Sequence, residues 1–382
     1  MTNSIVESFV KAYRIDKRLT AIDLNIKDNG LVITVEGILQ DQKLKTLFLN
    51  YCRENLSNPI VEKIDIVNHP GKKTKGLIRV SVANLHKDHS LSSPLVTQAL
   101  MGTVVTVIKN YSDWSYIQLS DGYLGWICET VVVLTDESYN LWLRAPKVIV
   151  TDLHGWIYSS VEMDHTVSDT VIGNVFAICE DLDTHYKIAY PDGRVGFVKK
   201  KSVQILEIWL TSRIVSEQTI VETARCFTGI PYLWGGTSSK AVDCSGFAWL
   251  VYFLNGLQLP RDADQQVEVG KEVVIDCEFT HVLPGDLLFF GRKELSGTNA
   301  INDSEETEIP ITHVGISLGR KRYMQASGDV HCSSFDPADQ DFDKRRSESL
   351  LRIRRIVRDD TLHGVRKLDS IFGFFENRCE KE

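Results

Sequence analysis

No apolar run in this chain approaches the roughly 18 residues of a membrane-crossing helix, so no membrane-inserted segment is expected. An excess of positive charge is also missing. The net charge of −8 argues against nucleic acid as a partner and against simple attraction to anionic surfaces. There is no CxxC. The eight cysteines (Cys52, Cys128, Cys179, Cys226, Cys244, Cys277, Cys332, Cys379) are dispersed, and none stands at zinc-finger spacing from a histidine. Neither a disulfide framework nor a structural metal nor another cofactor is expected, and scattered thiols suit a reducing compartment. The opening MTNSIVESFVKAYRIDKRL is amphipathic, contains an acidic residue and lacks a small-residue cleavage site, so it does not read as a signal peptide. The expected location is the cytoplasm, or outside the cell if a leader is missing from this sequence.

What is present is ordinary globular composition, 43% hydrophobic and 25% charged, over 382 residues, which is enough for two to four domains. Residues 1–85 read as helix, two strands, helix and strand. The strand-like run is Leu31 to Val35, and helical spacing follows from Lys43 to Leu56. The stretch from His69 to Gly76 reads as a boundary loop. An internal repeat follows. Leu100-Met101-Gly102-Thr103-Val104 recurs as Val171-Ile172-Gly173-Asn174-Val175, and Asp121-Gly122-Tyr123-Leu124-Gly125-Trp126 as Asp192-Gly193-Arg194-Val195-Gly196-Phe197. Each copy has short strands and an Asp-Gly turn before an aromatic strand, as in a small β-barrel. Residues 291–310 read as a charged insertion or flap, and 359–382 as a partly apolar tail of no assignable role.

The segment with most chemical content is Asp243-Cys244-Ser245-Gly246-Phe247. Turn-rich Gly229 to Gly236 precedes it. Phe247, Leu250, Val251 and Leu254 then fall at helical spacing, and Gly256 and Pro260 close the helix. Cys244 is therefore expected at a helix start, where unpaired N–H groups and the helix dipole favour a thiolate nucleophile. The plain alternative is a buried structural cysteine.

A nucleophilic thiol needs a base, and the base needs an orienting group. Of ten histidines, His313 is best placed. It is mid-strand in Ile311-Thr312-His313-Val314-Gly315-Ile316-Ser317-Leu318, on the face it shares with Gly315 and Ser317. A hairpin turn centred on Gly319 pairs residues whose numbers sum to 638, which sets Gln325 opposite His313. His331 is the rival orienter, but along a straight strand it would stand about 20 Å from Gln325.

In this order, YLWGG, DCSGF, LPRDADQQ, LPGDLLFF, THVGI and YMQAS strongly resemble the NlpC family of bacterial cell-wall cysteine peptidases. With the tandem repeat ahead, the resemblance extends to γ-D-glutamyl-L-diamino-acid endopeptidases with bacterial SH3-like domains. It implies a multidomain α+β protein. A small N-terminal α+β domain (1–85, faintly similar to BON modules) would precede two SH3-like β-barrels (86–138 and 139–207), a papain-like catalytic domain (208–358) and a tail (359–382). It also implies Cys244 as nucleophile, His313 as base and Gln325 at the third polar position, commonly histidine in relatives. Tyr232 resembles the tyrosine near the acyl carbonyl. Asp243 and Ser245 resemble the residues that hold a free N-terminal L-Ala ammonium; the plain role of Asp243 is a helix N-cap. Tyr123 would line the cleft from the first SH3-like domain, where Pro94 replaces a usual glutamate. The implied activity is hydrolysis of the γ-D-glutamyl–diamino acid bond of murein peptides, in the cytoplasm released peptides with free N-terminal L-Ala. The alternatives are an amidase or acyltransferase on the same scaffold, and a non-catalytic wall-binding protein.

Overall fold

The computed structural model describes residues 2–67, 74–291, 309–358 and 364–368. Residues 292–308 of the flap read over 291–310, most of the loop read over 69–76 and most of the tail lie outside the described residues. Thr74 to Gly76, read as loop, begin the strand Thr74–Ile78.

The chain divides into two compact units, and not by a single cut. One holds residues 1–79, 85–94 and 103–142; the other holds 80–84, 95–102 and 143–382.

The first unit begins with helix Thr2–Ala12, strands Ile22–Asp28 and Ile33–Leu39, helix Gln42–Asn55 and strand Ile60–Ile66. Asp41 caps the second helix through Leu44 N–H at 2.8 Å. Strand 33–39 pairs antiparallel with 22–28 and parallel with 60–66. The parallel pair needs the helix as its crossover. Phe9, Val35, Leu39, Phe48 and Cys52 are fully enclosed between helices and sheet. Leu31 is 79% exposed, so the strand starts two residues later than its apolar run suggests.

The repeat is kept in three dimensions. In the first unit, Val131–Leu134, Thr74–Ile78, Val104–Tyr111, Trp114–Gln118 and Leu124–Cys128 lie side by side in that order. In the second unit the same places are taken by Val203–Ile205, Lys147–Val150, Val175–Asp181, His185–Ala189 and Val195–Lys199, with His154–Tyr158 and Thr166–Val171 beyond them. The register matches as well: Ile117 faces Gly125, and 71 residues on Ile188 faces Gly196. Each copy has a bulge at the same point, between Val107 and Lys109 and between Ile178 and Glu180. Gly122 and Gly193 turn at φ +94° and +84°, which the Asp-Gly turns require. In one respect the barrel expectation fails. Both sheets are open, with the first and last strands of each order unpaired to each other among the described residues. Strands of three to eight residues, interrupted by bulges, coil strongly without completing a hydrogen-bonded ring.

The C-terminal part of the second unit is a six-stranded antiparallel sheet. Its order is Lys271–Glu272, Leu350–Arg355, Leu287–Gly291, Ile311–Gly319, Arg322–Ser327 and Asp329–Ser334. Helix Cys244–Leu254 packs on it with every residue but Trp249 buried, as expected of a helix apolar on all sides. Helix Glu217–Cys226, held by a Ser216–Thr219 capping box, lies beside it.

Candidate active site

Cys244 is the first residue of its helix, and Asp243 is the N-cap. Asp243 Oδ1 accepts from Gly246 N–H at 2.6 Å and Oδ2 from Gly235 N–H at 2.8 Å. Arg261, 2% exposed, forks onto the same carboxylate at 3.1 and 2.7 Å. The Ser245 hydroxyl donates to Asp243 at 3.2 Å and accepts from Arg261 at 2.9 Å, and Arg261 Nε donates to Thr97 at 2.9 Å. The cap role of Asp243 is thus observed, and its charge is met by a buried guanidinium. Arg261 was not singled out in the sequence, although it sits in LPRDADQQ.

Gln98 fixes the loop before Cys244. Its Oε1 accepts from Thr237 N–H at 3.0 Å and from the Ser238 hydroxyl at 3.1 Å. Pro94 is exposed, and its carbonyl accepts from Lys87 N–H.

The thiol expectation is revised. Hydrogen bonding by the N–H groups of Ser245 and Val314 and the Arg261 charge do favour a Cys244 thiolate. Burial comes first and the Asp243 charge second, and together they push the thiol up to about 11. The resting group is a neutral thiol. The Val314 contact places the strand of His313 against the sulfur.

His313 is 5% exposed, and its Nε2 bonds Gln325 Oε1 at 2.7 Å. Burial, then the Arg346 charge, lower the imidazole to about 3, so it is neutral. The pair forms, but not through the register expected. Arg320 and Lys321, at φ +50° and +66°, are the turn's central residues, and a bulge intervenes between Ser317 and Gly319. Ile316 therefore faces Met324, a sum of 640 and not 638. An error of two leaves Gln325 on the same face, one diagonal step from His313. The distance given to His331 is also corrected. The chain reverses at Gly328, φ +86°, and pairs His331 with Gln325 across the ladder. Its ring instead bonds Asp329 Oδ1 at 2.8 Å and is half-exposed.

Gln325 makes further bonds that the sequence did not reveal. Oε1 also accepts from Arg346 Nε at 3.2 Å, while Nε2 donates to Ser333 Oγ at 2.9 Å and Asp343 Oδ2 at 3.1 Å. Asp343 Oδ1 caps the short helix Lys344–Ser347 that carries Arg346. In sequence, DKRRSES reads as a solvated charge run. Tyr232 is half-buried, and burial followed by the Cys244 and Asp243 charges pushes its phenol up to about 12. Cys244, His313, Gln325, Asp243, Ser245 and Tyr232 are therefore assembled in one place. Tyr123 lies in the first unit, 4% exposed, its N–H on Asp121 Oδ1 at 2.9 Å.

A neutral thiol, a buried neutral imidazole and an amide acceptor form the set that acyl transfer through sulfur requires. Residues 229–346 match the NlpC/P60 family profile, and residues 85–131 match the bacterial dipeptidyl-peptidase SH3 domain. A γ-D-glutamyl-L-lysine dipeptidyl-peptidase of Bacillus subtilis is 39% identical over 244 residues, 60% of this chain and 71% of that protein. The chain belongs to the NlpC/P60 family. It is a cysteine peptidase of mixed α/β fold with an SH3-like domain. Dipeptidyl-peptidase 6 of Lysinibacillus sphaericus is 25% identical, over 68% of this chain and 91% of that one. A Bacillus cereus γ-D-glutamyl-L-lysine dipeptidyl-peptidase is 27% identical, and the chain spans 63% of its length. The crystal structure of an NlpC/P60 family protein from Bacillus cereus shares the fold, with a TM-score of 0.60 at 22% identity over 74% of this chain and 99% of that one.

Proposed function

We propose that this peptidase hydrolyses the γ-D-glutamyl–diamino acid bond of released murein peptides that carry a free N-terminal L-Ala, and that it does so in the cytoplasm. The observation that carries the reading is the Cys244 thiol at a helix start, beside the strand of a neutral His313 held through Nε2 by Gln325. Relatives named for γ-D-glutamyl-L-lysine cleavage support the bond.

With Nε2 engaged by Gln325, Nδ1 is the nitrogen for the thiol proton. Sulfur attacks the γ-glutamyl carbonyl as that proton moves to Nδ1. The oxyanion is held by backbone N–H groups including that of Cys244. The C–N bond then breaks as His313 returns the proton to the leaving amine, and water hydrolyses the thioester. Tyr232 would sit at the acyl carbonyl. Asp243 and Ser245 would receive the L-Ala ammonium, with Asp243 shared between it and Arg261. The second open sheet is read as a second SH3-like module on its shared strand order, and the helices and strands up to Ile66 as a BON-like α+β module; the bound at 85 is too late, since Thr74–Ile78 pairs with Val104–Tyr111 in the first open sheet.

Incubation of L-Ala-γ-D-Glu-L-Lys with the protein and with Cys244→Ala, followed by mass spectrometry, tests this. The expected outcome is L-Ala-D-Glu and lysine from the native protein alone. Product from both, or from neither, refutes the assignment.

A further inference from the structure

We propose that Arg346 and Asp343 act together as positioning residues that fix the Gln325 amide, and through it the tautomer of His313. The proposal rests on the reading of Cys244 and His313 as nucleophile and base.

A glutamine amide can turn over, exchanging its oxygen for its NH2, and only its partners decide which end faces where. Here the partners decide it. Arg346 has only donors, and it bonds Oε1 at 3.2 Å. A carboxylate has only acceptors, and that of Asp343 takes Nε2–H at 3.1 Å. Ser333 can serve either way, and at 2.9 Å completes the NH2. A donor-only group on one end and an acceptor-only group on the other leave one orientation. Oε1, with its second lone pair, then faces His313 at 2.7 Å. Since that oxygen can only accept, Nε2 must carry the imidazole proton and Nδ1 must be the vacant base.

The Arg346 guanidinium is held in turn. Its carbon lies 5.5 Å from the Phe290 ring centre, and Phe290 also packs on His313 at 5.6 Å. The charged groups bearing on His313 are Arg346, Asp343 and Arg345. Arg345 is exposed and makes no bond to Gln325 among the described residues, so it separates charge from bonding. A carbonyl oxygen accepts from His313 and Arg346 at once, whereas an imidazole nitrogen has a single lone pair.

The test uses Arg346→Met, Arg346→Lys, Arg345→Met, Gln325→His and the double variant Gln325→His/Arg346→Met in the full chain. Three quantities are read: kcat and KM on L-Ala-γ-D-Glu-L-Lys; the rate of Cys244 alkylation by iodoacetamide across pH, mapped by peptide mass; and the side-chain 15N signals of His313, which distinguish the tautomers. Arg346→Met should lower kcat about tenfold with KM unchanged, slow Cys244 alkylation near neutral pH by a similar factor, and mix the His313 tautomers. Arg346→Lys, which keeps a charge and a donor, should recover most of this, and Arg345→Met should change nothing. Gln325→His should be less active alone than combined with Arg346→Met. Native-like kcat, alkylation and 15N signals in Arg346→Met would overturn the proposal, as would equal effects of Arg345→Met and Arg346→Met. Should Arg346→Met fail to fold, an Arg346→Lys variant with native fold and mixed tautomers would overturn it as well. A native protein that leaves the tripeptide intact refutes the substrate reading, while the alkylation and 15N measurements still decide this one.

Discussion

Replacing Arg261 with methionine keeps an unbranched chain of similar length and removes only the guanidinium. In the native protein that group carries two bonds to Asp243, one to Ser245 and one to Thr97, all between buried side chains. Removing one member of such a pair strands the other charge, at a cost of about 3–5 kcal/mol. Asp243 keeps the N–H groups of Gly235 and Gly246, so the lower end, about 3 kcal/mol, is expected. Asp243→Asn added to Arg261→Met should recover about 2 kcal/mol, since the stranded charge is gone. The chemistry should follow in parallel. Arg261 lowers the Cys244 thiol and Asp243 raises it, so losing the arginine moves the thiol further above about 11. Alkylation of Cys244 near neutral pH should slow tenfold for each unit gained. Urea unfolding monitored by hydrogen exchange of the 244–254 amides reads the first quantity, and iodoacetamide kinetics the second. A loss under about 1 kcal/mol with unchanged alkylation would show that Arg261 is not the charge partner on which the site depends.

His313→Gln should flatten the acid side of the stability curve. Unfolded histidine binds a proton near 6.5 and the native residue only near 3, so its contribution is complete above 6.5 and is lost as pH falls towards 3. Between about pH 7.5 and about pH 5 the native protein should lose about 2 kcal/mol more than the variant in urea titrations; parallel loss would refute the neutral imidazole. Gly246→Ala should destabilise by about 2 kcal/mol or more, where an exposed helix would gain about 1. The new methyl would lie 2.0 Å from the Gly236 carbonyl oxygen and 2.9 Å from Thr237 Cγ2. A raised thermal midpoint in Gly246→Ala would contradict that packing.

The helix start at Cys244 was legible because the cap, the apolar spacing and the closing Gly256, φ +90°, are all local signals. His313 and Gln325 were legible because strand parity survives a register error of two. The turn itself was misread, since left-handed Arg320 and Lys321 carry no glycine to announce them. Arg261, Arg346 and Asp343 escaped because ion pairs and side-chain hydrogen bonds between distant residues leave no periodicity in sequence. The thiol's resting state escaped for the same reason, as burial by distant strands outweighs a local dipole. The repeat was readable from its glycines, while closure of the sheets depends on pairing that no short motif encodes.

Helix Cys244–Leu254, buried on nearly every side, has a consequence for how catalysis can be tuned. A nucleophile on a loop can be swung towards its target, but this sulfur is anchored to a helix buried on nearly every side. It serves as a fixed origin from which all reacting distances are measured. Selectivity among peptides must then come from how the substrate is brought to that origin, and loss of the thiol's position should coincide with unfolding of the core itself.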